Sequence, residues 1–200
     1  MTTPTSWYKS RSRGVRQLLA AWSLLLPLLA WGQGGGTQVY LTVEQAPRAV
    51  FPEADTWERR EIQVTPALSQ RIRQLAAPAN PTIWEPSYLS FIARRQDKII
   101  GYAVICEEIG RNRPITFIVG VTPDGKVKDT AIMTYRESQG GEVRQKSFLA
   151  HFAGKSLGNP IQPSQDIRNI SGATLSVRAL ARGVRKALAV IQAAYLKPEG

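Results

Sequence analysis

Two runs of the chain, Ile99 to Ile105 and Ile115 to Val121, are apolar almost without interruption and rich in β-branched residues. A strand that is apolar on both sides of its pleat needs cover on both sides, so runs like these call for a sheet packed under helices. Tyr88 to Arg95 and Lys98 to Glu107 read as strands joined by a tight turn at Gln96-Asp97, and Ile115 to Val121 continues the series. Thr122-Pro123-Asp124-Gly125-Lys126 is a turn with a mechanism. Its proline presets φ, and its glycine can take the positive φ that closes a hairpin onto Val127 to Tyr135. The pattern predicts an antiparallel meander.

Helices to cover it are also legible. Residues 44 to 50 and 66 to 76 have helical character, the second with Leu68, Ile72 and Leu75 near helical spacing behind a Thr65-Pro66 cap and first turn. The loop from Ala77 to Pro86 carries Pro78, Pro81 and Pro86 and breaks that pattern. Val143 to Phe152 can supply one helix, and the last, from about Ala173 to Tyr195, repeats Val177, Leu180, Val184, Leu188, Ile191 and Tyr195 at steps of three and four. On another of its faces stand Arg178, Arg182 and Lys186, which read first as a solvated stripe and second as a docking surface. The expected fold class is α+β: an antiparallel, strongly apolar sheet covered by helices, with a long C-terminal helix. Residues 33 to 80 read as a linker and N-terminal helical cover, and 81 to 200 as the main domain.

The first 32 residues have a different character. Lys9, Arg11, Arg13 and Arg16 occur without an acid, then Leu18 to Ala30 runs apolar apart from Ser23, and Ala30-Trp31-Gly32 offers small residues for cleavage. This is a signal peptide for the general secretory route or an uncleaved N-terminal membrane anchor, and either places the domain outside the cytoplasm, in the periplasm or on the outer face of the membrane. Without residues 1 to 32 the formal charge falls from +11 to +7. Export and a thin aromatic inventory, Trp57 and Trp84 being the tryptophans beyond that segment, argue against nucleic acid as a partner. Cys106 is the one cysteine and His151 the one histidine, so thiolate clusters, haem attachment and soft-metal sites are excluded and no catalytic triad can form. Cys106, among Ala103, Val104 and Ile105, reads as a buried strand position. Redox chemistry, if present, must come from an organic cofactor.

Ser171-Gly172-Ala173-Thr174 opens the last helix. Its bland reading is a serine N-cap followed by small residues. A second reading starts from the free amides and positive dipole end of a helix N-terminus, which suit a phosphate. Gly172 lets such a group approach, Ala173 leaves room, and Thr174 offers a hydroxyl that could be esterified. The longer string Ser171-Gly172-Ala173-Thr174-Leu175-Ser176 resembles the flavinylation motif of the FMN-binding domain family, which includes the flavin-bearing small subunits of the sodium-pumping NADH:quinone oxidoreductase and of the Rnf complex. The resemblance extends over Lys98 to Leu188, through Gly101-Tyr102, the strand from Ile115, Pro123-Asp124-Gly125 and Tyr135-Arg136-Glu137-Ser138. The chain has Arg168 where the family pattern often has an aspartate three residues before the serine.

The resemblance implies covalent FMN on Thr174 through a phosphoester, installed from FAD by an FAD:protein FMN transferase. It implies that Ser171, Gly172, Ala173, Leu175 and Ser176 surround the attachment. It also places the loop Glu137-Ser138-Gln139-Gly140-Gly141-Glu142 beside the isoalloxazine ring, with Glu137 as the approaching acid and Ser138, Gly140 and Gly141 at the cofactor; spacing alone makes this a polar, glycine-bearing loop. No residue is expected to be catalytic. The function implied is electron relay between a membrane-bound or extracytoplasmic redox donor and acceptor. Alternatives are a flavin-bearing regulatory or accessory module without sustained turnover, and a basic protein that binds a polyanion.

Overall fold

A computed structural model describes residues 37–196, and the proposed leader and the first residues of the proposed linker, 33 to 36, lie outside the described residues. The meander expected from the sequence forms. Strands β3 (Ser87–Arg95), β4 (Lys98–Ile109), β5 (Pro114–Val121) and β6 (Val127–Tyr135) follow one another as antiparallel neighbours. The Gln96-Asp97 turn takes φ values of 48 and 62°, the left-handed pair that matches the twist of a two-residue hairpin. At the other hairpin the Thr122 amide donates to Lys126 O at 2.8 Å, which closes the expected turn. Two flanking strands complete a six-stranded sheet: β1 (Gln38–Val39) beside β6, and β2 (Thr56–Gln63) beside β3. β2 went unforeseen. Its sequence, with Glu58, Arg59, Arg60 and Glu61 in succession, lacks the alternation of a half-buried strand, because it is an outer strand whose charges blunt a free edge.

Both faces of the sheet are covered, as the apolar strands require. On one, Val104, Cys106, Phe117 and Val119 pack under α2 (Pro66–Ala76) and α4 (Thr174–Ile191). On the other, Phe91, Ala103, Ile118 and Met133 meet Ala46, Val50 and Phe51 of the short α1 (Ala46–Val50) and its end. Phe117 and Ile118, neighbours in sequence, thus belong to opposite cores, as the two-residue period of a strand dictates. The Thr65 hydroxyl caps α2 by accepting the Leu68 amide at 3.1 Å, with Pro66 in the first turn, as read from the sequence.

One helix was over-read. Val143 to Phe152 is not continuous but breaks into a 3-10 turn (Gly141–Arg144), the one-turn α3 (Lys146–Leu149) and a second 3-10 turn (Ala150–Phe152). Its apolar residues Val143, Phe148, Leu149 and Phe152 all reach the core, and a chain wrapping over the sheet rim buries them as well as a helix would. Among the described residues no helix is long and apolar enough to cross a membrane.

Candidate functional site

The site is built on the first turn of α4. Thr174 is its first residue, Ala173 takes the cap position, and no side chain caps the helix. Ser171 stands outside the helix and exposed, so the reading of it as the N-cap is corrected. The reason lies in the preceding turn: the Ala173 amide donates to Ile170 O at 3.0 Å, and Gly172 adopts φ +82°, which redirects the chain before the helix starts. Among the described residues the amides of Thr174, Leu175 and Ser176 and the Thr174 hydroxyl make no hydrogen bond. Three donors at the positive end of an eighteen-residue helix therefore stand around a half-buried hydroxyl. Leu175 is 47% exposed, although it sits between buried Ala173 and Ser176.

Ser176 joins this turn to the loop after β6. Tyr135, at the end of β6, is 3% exposed and donates its hydroxyl hydrogen to Gln139 O at 2.6 Å, while its oxygen lies 3.1 Å from Ser176 Oγ. Burial raises the Tyr135 phenol above its ordinary value, so it is a neutral donor here. Gly140, at φ +77°, packs so closely that a Cβ on it would lie 2.8 Å from Ser176 Oγ. Ser176 is thus a buried support beneath the loop. Glu137 is turned onto the neighbouring hairpin, its Oε1 accepting the Asn112 and Arg113 amides at 2.7 and 2.9 Å.

Above these supports lies an open groove of about 1560 Å³, lined by Glu137 to Glu142, Gln38, Tyr40, Tyr135, Arg144 and, from the turn before α4, Gly172. Arg144 crosses it, donating to Gln38 Oε1 at 2.6 Å and to the Tyr40 hydroxyl, with its guanidinium 5.3 and 5.4 Å from the Tyr40 and Tyr135 ring centres. Thr174 faces a smaller cleft of about 360 Å³, shared with Asn169, Arg178 and Arg182. Neither Tyr135 nor these arginines were singled out for a cofactor role at the sequence level. The steps of four from Thr174 to Arg178 to Arg182 were the available signal, since they place all three on one helix face.

The reading of Arg178, Arg182 and Lys186 as a solvated stripe also needs correction. Arg178 is exposed and Arg182 half-buried, but Lys186 is fully buried. Its ammonium donates to Glu107 O at 2.6 Å, Thr82 O at 2.8 Å and Glu85 Oε1 at 2.9 Å, and stands 3.4 Å from Glu108 Oε1. Burial opposes its charge, and Cys106, Glu108 and Glu85 around it more than offset that, holding Lys186 above the ordinary lysine value. Glu108, buried too, is pushed up by burial and drawn back by Lys186 and Arg182. Cys106 beside them is a neutral buried thiol, pushed up to about 12.

An unpartnered hydroxyl, three unpartnered amides and an adjacent basic cleft suit an esterified phosphate, and a groove wider than an ordinary small-ligand pocket suits a large planar ring. The arrangement therefore fits a flavin mononucleotide.

Comparison with known proteins gives the class. Residues 110–189 match the model of the FMN-binding domain family, the family that the resemblance read from the sequence named. One component of the proton-translocating ferredoxin:NAD(+) oxidoreductase complex of Clostridium ljungdahlii is 31% identical over 105 residues, covering 49% of this chain and 57% of that protein. A component of the ion-translocating oxidoreductase complex of Pseudomonas aeruginosa is 26% identical over 134 residues, covering 62% of this chain and 59% of that protein. The chain thus spans under two thirds of the length of these relatives. The crystal structure of Shewanella oneidensis NqrC superposes with a TM-score of 0.49 at 17% identity, over 72% of this chain and 84% of that one.

Proposed function

We propose that the chain is an exported electron carrier whose FMN is tethered by a phosphoester to Thr174. The single observation that carries the tether is the free Thr174 hydroxyl among three free helix amides. The family match supports the cofactor, and the names of the relatives support a place among subunits of ion-translocating oxidoreductase complexes. Residues 81 to 200 serve as the flavin domain and 1 to 32 as the leader or anchor, so the carrier works in the periplasm or on the outer membrane face. Its redox donor and acceptor are membrane-bound or extracytoplasmic proteins.

Attachment requires FAD as co-reactant and an FAD:protein FMN transferase. The Thr174 oxygen bonds to the flavin-side phosphorus, the anhydride bond to AMP breaks, AMP leaves and the hydroxyl proton is lost to solvent. Bound there, a flavin supplies reversible one- or two-electron transfer. The chain's own contribution is structural: helix amides face the phosphate, Tyr135 and Ser176 fix the Ser138 to Gly141 loop, and the tether keeps the cofactor from being diluted outside the cell. Ser171, Gly172, Ala173 and Leu175 shape the attachment turn, and Glu137 holds the base of the loop.

Intact-mass spectrometry of the full chain made together with the transferase tests this. The expected gain is one FMN less one water, absent in Thr174→Ala with the melting temperature unchanged. An unmodified wild-type chain in the presence of active transferase removes the proposal.

A further inference from the structure

We propose that Arg178 is the charge partner of the phosphoester, with Arg182 as a braced donor beside it, so that the small cleft at Thr174 reads the phosphate while the broad groove serves the ring. This deepens the reading of Thr174 as the attachment residue and rests on it.

Three observations converge. The first is direction: side chains on a helix lean toward its N-terminus, so an arginine four residues after Thr174 reaches back over the hydroxyl rather than away from it. Both Arg178 and Arg182 line the same cleft as Thr174. The second is charge balance. Lys186 and Arg182 are already answered by Glu85 and Glu108, with Arg182 Nε 3.5 Å from Glu108 Oε2 and Lys186 Nζ 2.9 Å from Glu85 Oε1. Arg178 makes no hydrogen bond or ion pair among the described residues. One uncompensated cation remains at the cleft, and a phosphodiester carries one negative charge. The third is bracing: Glu108 is fully buried and its Oε2 accepts no hydrogen bond, so its field falls on Arg182, whose Nη2 is further held by Ile109 O at 3.2 Å. That fixes the inner wall of the cleft before any ligand arrives. A planar guanidinium suits two phosphate oxygens at once, which an ammonium cannot match.

The test uses the full chain made with the transferase, sampled over time for the fraction modified by intact mass. Arg178→Glu is expected to slow modification by about tenfold or more, the range of one charge-assisted hydrogen bond, and Arg178→Gln by less. Arg178→Lys recovers part of the rate, and exposed Arg73→Glu, matched in net charge, leaves it unchanged. All keep the wild-type melting temperature. In loaded Arg178→Gln the phosphorus NMR line of the ester moves away from the wild-type position. Wild-type modification rates in Arg178→Glu with an unmoved line, or an equal loss in Arg73→Glu, overturn the assignment of Arg178 while leaving Thr174 intact. An unmodified wild-type chain instead removes the attachment reading beneath it.

Discussion

The two ends of one basic helix face behave in opposite ways. Arg178 near the start of α4 is exposed and has no partner among the described residues, whereas Lys186, two turns further along the same row, is sealed under Thr82, Glu85, Glu107 and Glu108. Next to Lys186, Arg185 is also buried, and it spends its donors on main-chain oxygens: Nε on Ala76 O at 3.0 Å, Nη2 on Ala77 O at 2.7 Å and Nη1 on Asn159 O at 2.5 Å. Those bonds pin the helix to the loops that flank it. A residue type and its spacing do not decide whether a cation serves stability or function. What packs over it does, and here satisfied groups hold the middle of the helix while unsatisfied ones collect at its first turn.

The strongest challenge to that contrast is Lys186→Met. Removing the ammonium leaves Glu108 buried with Arg182 alone at 3.5 Å, and breaking a buried pair from one side costs about 3–5 kcal/mol. Denaturant unfolding should show a loss of that size, and the double variant Lys186→Met with Glu108→Leu should recover much of it, because the fully buried carboxylate is then gone and the charges that lose a partner, Glu85 and Arg182, both reach solvent. A loss under about 1 kcal/mol for the single change would mean that the middle of the helix is no more committed to stability than its start.

A smaller effect sharpens the boundary between the ends. The wall of the Thr174 cleft contributed by residues 161 to 164 is held by Asp166, whose carboxylate accepts the Gln162 amide at 2.9 Å and the Ile161 amide at 3.2 Å and pairs with Lys155 at 3.0 Å. Burial works against this carboxylate, but the amides and Lys155 outweigh it and leave Asp166 below its ordinary 3.8. A depressed carboxylate contributes stability above its unfolded value and loses it as the pH falls through the folded one, so the contribution is complete well above pH 3.8 and fades below it. Asp166→Asn is expected to be less stable than wild type by about 1–2 kcal/mol near neutrality, with the gap narrowing in melts carried down to pH 3. A gap that stays constant across that window would show that the charge of Asp166 does not hold the wall.

How much of this was legible in the sequence follows the same division. The four central strands, the Thr65 cap and the long last helix were readable because Ile99 to Ile105, Ile115 to Val121 and the Val177 to Ile191 row carry strong periodicity or continuous apolarity. β2 was not, since an outer strand is free to carry Glu58, Arg59, Arg60 and Glu61 in succession. The burial of Lys186 was not either, because its partners Glu85 and Glu108 lie 101 and 78 residues away and converge only when the loop before β3 folds over α4. At the site, the motif singled out Thr174, but the roles of Tyr135 and Ser176 depend on a contact between segments 41 residues apart. The resemblance gave Glu137 as the acid approaching the flavin ring, whereas its hydrogen-bond partners, the Asn112 and Arg113 amides, belong to a turn that no local pattern links to it.

The mildest prediction concerns Leu175, and it bears on the comparison from the other side. A leucine 47% exposed at the start of a helix contributes little to the core, so Leu175→Ser should change the unfolding free energy by no more than about 0.5 kcal/mol. If the helix start is reserved for the flavin, the same substitution should still permit modification at Thr174, while the fluorescence of the attached flavin shifts as an apolar contact is replaced by a hydroxyl and water. A stability loss beyond about 1 kcal/mol would place Leu175 with the structural half of the helix, and an unaltered flavin spectrum would separate it from the cofactor. The two measurements move independently, because folding free energy is read on the unmodified chain and fluorescence on the loaded one.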